Sequence, residues 1–422
     1  MWESEWLRLK AESPEVQDFL KHHFERPLDH KQTLTESEIQ QAILDDNLFG
    51  CIECDIHVPD DLKPLFAEMP PIFKNIEISR DDIGDFMRAF GEEHGIMNQP
   101  RSLIVSMKGD KILLATPLVK YYLQKGLKIT KIYQVVEFTP DPCFHAFGLA
   151  VSDARREGDA DPSKAIIADT MKLVGNSSYG KSLTNKELHR NVKYCDDDCA
   201  PMLVNDPFFR QLDPINHDTY EVLLSKKSIR LDLPVQVGFF VYSYAKLRML
   251  QFYFDFLLKY FEPKDWQYCE MDTDSAYIAI SSDNIDDLVL PHMREEYMLD
   301  KYNWFPRDDT LEHYNYDKRT PGLFKVEWEG DGIIGLCSKT YYCFGPKDKF
   351  SSKGVNKSVN DINKEKYLQV LLTKSSGSGL NRGFRVRDNA MYTYTQVRDA
   401  FSYFYPKRKV LDDGVSTTYL DI

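Results

Sequence analysis

Two aspartates lie two residues apart at Asp272 and Asp274, within the stretch QYCEMDTDSAYIAI, whose alternation predicts a hairpin with D-T-D near its tip. Side chains two residues apart in a strand point to one face, so these carboxylates would repel each other unless a cation neutralises them. Mg²⁺ suits such a site, because it binds one or two carboxylates together with substrate phosphates. Taken alone, the pair is equally compatible with a solvated turn or with the metal site of a glycosyltransferase.

A second candidate is the predicted helix that contains KLVGNSSYG. Lys172, Asn176 and Tyr179 follow an i, i+4, i+7 spacing, which places them on one helical face. A cation, an amide and a phenol suit a nucleotide, because lysine pairs with phosphate while the amide and the ring can contact sugar or base. Two further cations end the preceding predicted helix, Arg155 and Arg156. The apolar neighbours are expected to face the core: Met171, Leu173 and Val174.

The charge of the chain is unevenly distributed. The net charge of −13 argues against a polyanionic partner, but residues 339–409 contain 15 Lys and Arg against 5 Asp and Glu, a local charge of +10 that leaves −23 for the rest. A basic block on an acidic body is typical of a polyanion-binding lobe. The alternative interpretation is a solvated basic face.

Composition excludes several classes of protein. No apolar run reaches the ~18 residues of a membrane span. The start MWESEWLRLKAESPEV lacks the basic and apolar regions of a signal peptide. The eight cysteines include two close pairs, Cys51/Cys54 and Cys195/Cys199, which lie too far apart in sequence to favour one zinc site. We interpret them as reduced thiols of an intracellular protein that has no membrane partner.

The apolar patterns predict an α+β fold with a mainly antiparallel sheet. The expected elements are, in chain order, a polar helical segment with a capped helix at TESEIQQAI (1–48), a strand (48–58), a hairpin around Gly109-Asp110 (101–115), a helix ending at Gly126 (117–126), a strand (128–138), a helical hairpin (143–156 and 164–183), short strands (188–232), a long buried helix (235–261), further strands (321–347), and a final helical lobe with a flexible loop (375–383).

The two motifs described above, together with two later segments, resemble those of a known family. K-x-x-x-N-S-x-Y-G at 172–180 and D-T-D-S at 272–275 are similar to the fingers and palm signatures of family-B DNA polymerases. SKTYYCFG resembles the K-x-Y motif of that family, and KDKFSSKGV resembles the basic segment that leads into its thumb. The motifs occur in the order of the family. Other stretches resemble its protein-primed branch, in particular polymerases of Maverick/Polinton-type DNA transposons: FGCIECDIHVP, EMPPIFKN, VGFFVYSYAKLRML and YPKRKVLDDGVSTTYL.

The resemblance covers residues 49–422 and implies a right-hand polymerase architecture, with an antiparallel palm sheet, helical-hairpin fingers and a small thumb lobe. The implied divisions are the end of an upstream insert (1–48), the first part of the palm (49–142), the fingers (143–184), the second part of the palm (185–350, with an insertion at 185–232) and a DNA-binding thumb (351–422). The implied location is intracellular, in the nucleus or at a viral or transposon replication site.

The resemblance also implies a reaction, the transfer of a nucleotide from a dNTP to a primer 3′-hydroxyl with two Mg²⁺ ions, Mn²⁺ being an alternative. Asp274 would be the main metal ligand and Asp272 an adjacent support. Lys172, aided by Arg155 or Arg156, would neutralise the triphosphate. Asn176 and Tyr179 would contact the sugar and the nascent base pair.

The same resemblance implies contacts with primer–template DNA. Lys339 and Tyr341 would hold the primer end. Duplex phosphates would be contacted by Lys353, Lys407, Arg408 and Lys409. Such contacts weaken as salt rises and do not depend on sequence. A terminal protein is a further candidate partner, because members of this branch use one as a primer.

The chain departs from the family pattern in three respects. The motif D-x-x-S-L-Y-P, whose aspartate shares the metals with the second aspartate of D-T-D, is not found before Lys172, and no exonuclease motifs are found. Met271 stands where the family has glycine. We therefore expect the C-terminal portion of a longer polymerase, able to bind DNA but with little or no extension activity. The alternative is a non-catalytic remnant that binds DNA; a glycosyltransferase would leave the Lys172 face and the basic block unexplained.

Overall fold

A computed structural model gives the structure of the chain. It describes residues 34–96, 102–387 and 390–422, together with Pro14. The chain divides into two units, Met1–Leu48 and Phe49–Ile422. Every strand pair in the described residues is antiparallel, and these strands are combined with many helices. The predicted α+β class is therefore confirmed.

The described helix of the first unit is α1 (Glu36–Leu44), and it begins with a capping box. The backbone N–H of Thr35 donates to the Glu38 carboxylate over 2.7 Å, and the Thr35 hydroxyl accepts from the Glu38 N–H over 3.3 Å. The capped helix predicted at TESEIQQAI is confirmed. The helical expectation for residues 1–33 lies outside the described part of the chain.

The second unit begins with a three-stranded sheet and short helices. In chain order these elements and their neighbours are β1 (Gly50–His57), α2 (Lys63–Phe66), β2 (Ile72–Ile76), α3 (Asp85–Glu93), β3 (Ser102–Ser106), β4 (Lys108–Ala115), α4 (Thr116–Gln124) and β5 (Lys128–Glu137). β1 lies between β4 and β5, and its alternate side chains Ile52, Cys54 and Ile56 are buried. The predicted strands at 48–58 and 128–138 are confirmed.

The hairpin predicted for residues 101–115 is wrong. β3 pairs with β2, whereas β4 pairs with β1, so the two strands belong to different sheets although they are adjacent in sequence. The expected turn at Gly109-Asp110 lies inside β4. A Cβ at Gly109 would approach Ile112 and Ile72, so the close approach of neighbouring side chains accounts for this glycine.

A helical hairpin follows, formed by α5 (His145–Ala160) and α6 (Ala165–Ser182), and it confirms the prediction. The connecting turn contains the 3₁₀ stretch Pro162–Lys164, which the Asp161 side chain caps. The chain then forms β6 (Arg190–Cys195), α7 (Ala200–Val204), β7 (Phe209–Pro214) and β8 (Tyr220–Ser225), after a 3₁₀ stretch at Lys186–Leu188. These strands make a sheet in the order β6-β8-β7, with a small core of its own around Leu203, Val222 and Leu224.

Small residues bring the helical hairpin close to its neighbours. A Cβ added at Gly175 would lie 3.1 Å from Val151, and one added at Gly158 would lie 2.3 Å from the Ala168 Cβ. Together these contacts join α5 to α6. At the end of α6, the Ser182 hydroxyl accepts from the backbone N–H of Gly238 over 3.1 Å. Gly238 belongs to the next long helix, so the end of α6 packs directly against the backbone of that helix.

That next helix is α8 (Val235–Gln251), which continues through a π-helical stretch (Phe252–Leu257) and a last α-helical turn (Leu258–Tyr260). The long helix predicted at 235–261 is confirmed, but burial is concentrated in its second half; Tyr242 and Tyr244 in the first half are exposed. The π-helical stretch buries a cluster of rings around Phe252: Phe256, Trp304, Phe305 and Phe324.

Two hairpins come next, separated by helices. The elements are β9 (Trp266–Asp272), β10 (Ser275–Ile280), α9 (Arg294–Trp304), α10 (Leu311–Asp317), β11 (Gly332–Cys337), β12 (Thr340–Phe344) and β13 (Lys349–Ser352), with 3₁₀ stretches at Pro263–Asp265, Ile285–Leu288 and Pro291–Met293. β9 pairs with β10, and β12 lies between β11 and β13. Of the predicted strands at 321–347, those after residue 331 are confirmed, and residues 321–331 have no strand.

The C-terminal part differs most from the expectation. It contains α11 (Lys364–Thr373), β14 (Ser376–Arg387), β15 (Ala390–Ser402), β16 (Lys409–Val410) and β17 (Thr417–Thr418). The flexible loop predicted at 375–383 is wrong, because these residues form a long two-stranded ribbon with β15. The expectation of a helical lobe is also wrong. A core of Tyr342, Tyr367 and Phe401 packs the base of the ribbon against α11 and β12.

Gly238→Ala should reduce stability. The added Cβ would lie 2.4 Å from Leu183 Cγ and 2.7 Å from Ser182 Oγ, so α6 and α8 must separate. Overpacking of this kind costs about 1–3 kcal/mol. Gly148→Ala is the matched control, because nothing lies within 4 Å of a Cβ there, and alanine favours a helix by roughly 1 kcal/mol. Urea unfolding should show a lower free energy of unfolding for Gly238→Ala and a higher one for Gly148→Ala. Equal changes in the two variants would contradict the packing argument.

Lys246→Met should raise the melting temperature at neutral pH. Lys246 Nζ lies 4.3 Å from the Phe73 ring centroid and 5.7 Å from that of Tyr122, and burial lowers its pKa to about 7. The unfolded chain, with a lysine pKa near about 10.4, binds more protons between these values, so the wild type loses stability as pH falls through that window. The increase in melting temperature of Lys246→Met over the wild type should be large at about pH 7 and small at about pH 9.5.

Lys128→Met is the control for this titration. Lys128 is exposed at the start of β5. We expect its removal to change the melting temperature by similar amounts at both pH values. A gain from Lys246→Met that did not shrink at alkaline pH would show that burial of the charge is not its cause.

Candidate functional site

The D-T-D sequence forms the tip of the β9–β10 hairpin. Asp272 ends β9 and pairs with Ser275, so Thr273 and Asp274 make the turn. Thr273 has a φ of 57°, which is unusual for a β-branched residue, and the Asp274 N–H donates to the Asp272 carbonyl over 2.6 Å. The prediction of a hairpin with D-T-D near its tip is confirmed. Because Thr273 and Asp274 lie in the turn, the alternation of side chains along a strand does not apply to the two carboxylates. They instead flank the tip, with Asp274 exposed and Asp272 half-buried.

The tip of a second hairpin, between β11 and β12, meets this one. Lys339 Nζ lies 3.0 Å from Asp272 Oδ1, and the Lys339 backbone N–H donates to Glu270 Oε1 over 3.1 Å. Burial raises the pKa of Glu270 to about 7, and the charge of Asp272 adds to the rise, while the N–H and charge of Lys339 oppose it. Lys339 itself has a φ of 63°. One lysine thus connects two carboxyl groups of β9 with the K-x-Y segment.

Two tyrosines join the same pair of hairpins. The hydroxyl groups of Tyr277, on β10, and Tyr341, on β12, lie 2.8 Å apart, and the ring centroids are 4.8 Å apart. Burial raises the pKa of the Tyr341 hydroxyl, and its hydrogen bond with Tyr277 raises it further. Tyr341 is therefore held in one orientation beside the D-T-D hairpin.

Helix α6 presents the predicted polar face. Lys172 and Asn176 are exposed and Tyr179 is half-buried. The expectation that the intervening apolar residues face the core is wrong for Leu173 and Val174, which are 66% and 42% exposed. The reason is that α6 packs along α5 through Gly175 instead of through a hydrophobic stripe.

Tyr179, at one end of this face, contacts the long helix α8. Its ring packs edge-on against Tyr242 of α8, with the centroids 5.8 Å apart. Burial raises the pKa of Tyr179, and the charges of Tyr242 and Asp274 raise it further. The phenol at one end of the α6 face and the exposed carboxylate of D-T-D thus share one electrostatic environment.

Arg155 and Arg156 are adjacent in sequence but differ in their contacts. Arg156 donates to the Tyr316 carbonyl and the Thr320 hydroxyl, both over 3.1 Å, and its guanidinium lies 3.8 Å from the Tyr316 ring centroid. It also pairs with Asp153 at 2.7 Å. The side chain of Arg155 makes no hydrogen bond or ion pair with another residue of the described part of the chain. Of the two, Arg155 is the one whose donors are open to a ligand.

The predicted DNA contacts are scattered over the C-terminal part. Lys353 and Lys409 are exposed, and Lys407 is half-buried. Arg408 donates to the Thr417 hydroxyl over 2.9 Å, and burial lowers its pKa. The structure therefore leaves Lys353 and Lys409 most accessible, whereas Arg408 is engaged within the fold.

Several residues near the site were not predicted from the sequence. Glu270 lies two positions before Asp272 on β9, a spacing that could have indicated its position. Tyr277 and Tyr242 are half-buried or exposed aromatic residues without a recognisable local signal. They join the site through tertiary contacts.

The donors at the hairpin tip suit Mg²⁺ together with phosphate. Within residues 34–96, 102–387 and 390–422, no group of three or more potential metal-ligating side chains occurs. Asp272 and Asp274 supply the two carboxylates with which Mg²⁺ is often held, its other positions being filled by water and substrate phosphates. Two carboxylates alone leave most positions of a Mg²⁺ ion to other ligands.

Comparison of the chain with protein-family models, with curated proteins and with solved structures gives no match. Among the described helices, none is both long enough and apolar enough to cross a membrane.

Arg156→Gln should lower stability by about 1–3 kcal/mol, because it removes charge-assisted bonds to two acceptors and a stacked contact with Tyr316. Arg155→Gln is the matched control and should change stability by about 0.5 kcal/mol or less, because Arg155 has no such partners in the described residues. Denaturant unfolding of both variants tests the assignment. Equal losses would show that the distinction between the two arginines is wrong.

Proposed function

We propose that this chain binds primer–template DNA and a deoxynucleoside triphosphate, and that it contains part of the active centre of a DNA-directed DNA polymerase. One observation supports this more than any other. Asp272, in the turn of the D-T-D hairpin, is paired with Lys339 of the K-x-Y segment at 3.0 Å. Two motifs that are far apart in sequence thus meet, and this contact supports the proposal.

The acidic tip would hold the metal ions. Two Mg²⁺ ions, when bound, lower the pKa of the primer 3′-hydroxyl and neutralise the leaving pyrophosphate. Asp274 is exposed and available as the main ligand, and Asp272 supports it. Lys339 already neutralises Asp272, so it can remain near the tip and place its charge beside the primer end.

The α6 face would hold the nucleotide. Lys172 supplies a point charge for phosphate, and Asn176 and Tyr179 contact the sugar and the nascent base pair. The edge-on contact with Tyr242 limits the movement of the Tyr179 ring. A ring of fixed orientation can reject a ribose 2′-hydroxyl by steric exclusion.

The basic C-terminal part would contact duplex DNA, as the thumb does in the polymerase architecture. The ribbon of β14 and β15 carries exposed basic and aromatic side chains, among them Arg382, Phe384 and Tyr392. A two-stranded ribbon fits a DNA groove, and cations along it contact phosphates without reading sequence. Lys353, exposed near the base of the ribbon, adds to this surface.

A second candidate function is DNA binding without catalysis. It is favoured by the two-carboxylate tip, because the described residues contain no third ligand at the site, and the sequence lacks D-x-x-S-L-Y-P. We accordingly expect residues 1–422 to extend primers slowly or not at all. The two functions differ in one property: only a polymerase centre should bind the dNTP complementary to the template base in preference to the other three.

A ternary-complex experiment tests the proposal. With a dideoxy-terminated primer–template and Mg²⁺, the next correct dNTP should slow DNA dissociation about ten-fold relative to the other three, which corresponds to about 1.4 kcal/mol. Asp274→Asn should remove this effect and leave binary DNA affinity unchanged. The matched control is Asp283→Asn, an exposed carboxylate beyond the far end of the same hairpin.

The outcomes are distinct. Dissociation that is slowed only by the templated nucleotide, and that depends on Asp274, supports the polymerase assignment. DNA binding that is indifferent to all four nucleotides overturns it in favour of the non-catalytic function. Failure to bind DNA at low salt overturns both.

A further inference from the structure

The segment of residues 311–320, which we call the strap, contains α10 and the turn after it. It is fixed to the body of the second unit by a buried carboxylate. Asp317, only 7% exposed, accepts hydrogen bonds from the backbone N–H and the guanidinium of Arg307 over 2.7 to 3.1 Å. Because two charged groups satisfy each other there, the strap has a defined position before it reaches the helical hairpin.

The strap then binds α5 through charged groups. Arg319 donates two hydrogen bonds to the Asp159 carboxylate, over 2.7 and 2.6 Å, and Lys318 lies 3.4 Å from the same carboxylate. Arg156 donates to Tyr316 and Thr320 from the preceding turn of α5. The strap is therefore attached to the helix that carries Arg155.

An open cleft of about 160 Å³ lies at this junction. It is lined by Arg155, Gly158, Asp159, Ala165, Ala168, Asp169, Lys172 and Arg319. Three cationic side chains meet two carboxylates, and one of these, Asp159, is already paired with Arg319. The small residues on the two helices leave room in the cleft.

Three carboxylates act on the cations of the cleft, Asp159, Asp169 and Glu327, but in the described residues only Asp159 forms an ion pair with one of them. Burial lowers the pKa of Arg155 and the charge of Arg319 lowers it further, with Asp159 and Asp169 opposing this. Neither Arg155 nor Lys172 forms an ion pair within 4 Å in the described part of the chain. A multivalent anion would separate the two guanidinium groups and provide acceptors for both.

The position of the cleft relates it to the candidate site. Lys172 and Tyr179 are seven residues apart on α6, or roughly 10 Å along the helix axis. The charge of Asp274 contributes to the raised pKa of Tyr179, so the Tyr179 end of the face is the end toward the acidic tip, and Lys172 is at the cleft. An extended polyphosphate lying along this face would have its terminal group among the three cations.

We propose that this cleft binds the terminal phosphates of the incoming nucleoside triphosphate, and that Arg319, contributed by the strap, is the third cation of this subsite together with Arg155 and Lys172. The inference rests on the proposed function for the nucleoside part of the ligand, whereas the polyphosphate part rests on the cleft itself. Asp159 holds Arg319 in place, and phosphate oxygens compete for the same guanidinium N–H groups.

The test compares two adjacent cations that contact the same carboxylate. Arg319 lines the cleft, whereas Lys318 does not, so Lys318→Gln controls for weakening of the strap. Binding of inorganic triphosphate to the full chain is measured by calorimetry, with the melting temperature of each variant. We expect Arg319→Gln to weaken binding about ten-fold or more and Lys318→Gln to change it by about two-fold or less. Arg319→Lys should recover part of the affinity, because it keeps the charge without the planar fork.

Other results would overturn the inference. Equal effects of Arg319→Gln and Lys318→Gln would mean that Arg319 acts only through the strap. Triphosphate binding that depends on Lys172→Gln but not on Arg319→Gln would refute the role of the strap and leave the proposed function intact. Triphosphate binding that depends on Arg319, without selection of the templated dNTP in the ternary-complex experiment, would support the subsite and refute the polymerase assignment. Absence of triphosphate binding by the wild type would refute the subsite directly.

Discussion

The close packing of the helical hairpin on its neighbours is the constraint on which the candidate site depends. The buried side chains of α5 and α6 are Ser152 and Ser182, so a hydrophobic core does not position these helices. Close approach at Gly158, Gly175 and Gly238 does so instead, through many short-range dispersion contacts. The polar face of α6 is consequently exposed to ligand while its backbone is held from both sides.

Charge is balanced locally at both ends of that face. At the acidic end, Lys339 is paired with Asp272, and the raised pKa of Glu270 reduces the further negative charge near neutral pH. At the basic end, Asp159 is paired with Arg319. Each end thus holds a cation and a carboxylate in direct contact. The partial exposure of these pairs limits their contribution to stability, so their main effect is on geometry.

Much of the fold can be derived from periodicity, and the exceptions have physical causes. The strand at 48–58 and the helical hairpin were predictable, because their patterns agree with their burial or capping. The turn predicted from the residues at 109–110 is wrong because β4 pairs with β1, and Gly109 allows close packing of neighbouring side chains. At 375–383, pairing with β15 outweighs the flexibility that Gly and Ser confer. Leu173 is exposed because apolar spacing does not report whether a partner exists.

The candidate site was predictable only where its residues share a local motif. Lys172, Tyr179 and Asp274 belong to short patterns that can be recognised in one sequence. Arg319 has no such pattern, because its partner Asp159 lies 160 residues earlier. Its position results from the anchoring of the strap, which is a property of the folded chain.

The π-helical stretch at Phe252–Leu257 has a consequence for the tolerance of the chain to changes in length. A π-helical turn contains an extra residue relative to an α-helical one, and it lies between Gly238, where the hairpin packs, and Asp272. Loss of a residue there would rotate the downstream part of the chain by about 100° and shift it by about 1.5 Å. The number of residues in this stretch therefore helps to set the angle between the polar face of α6 and the acidic tip.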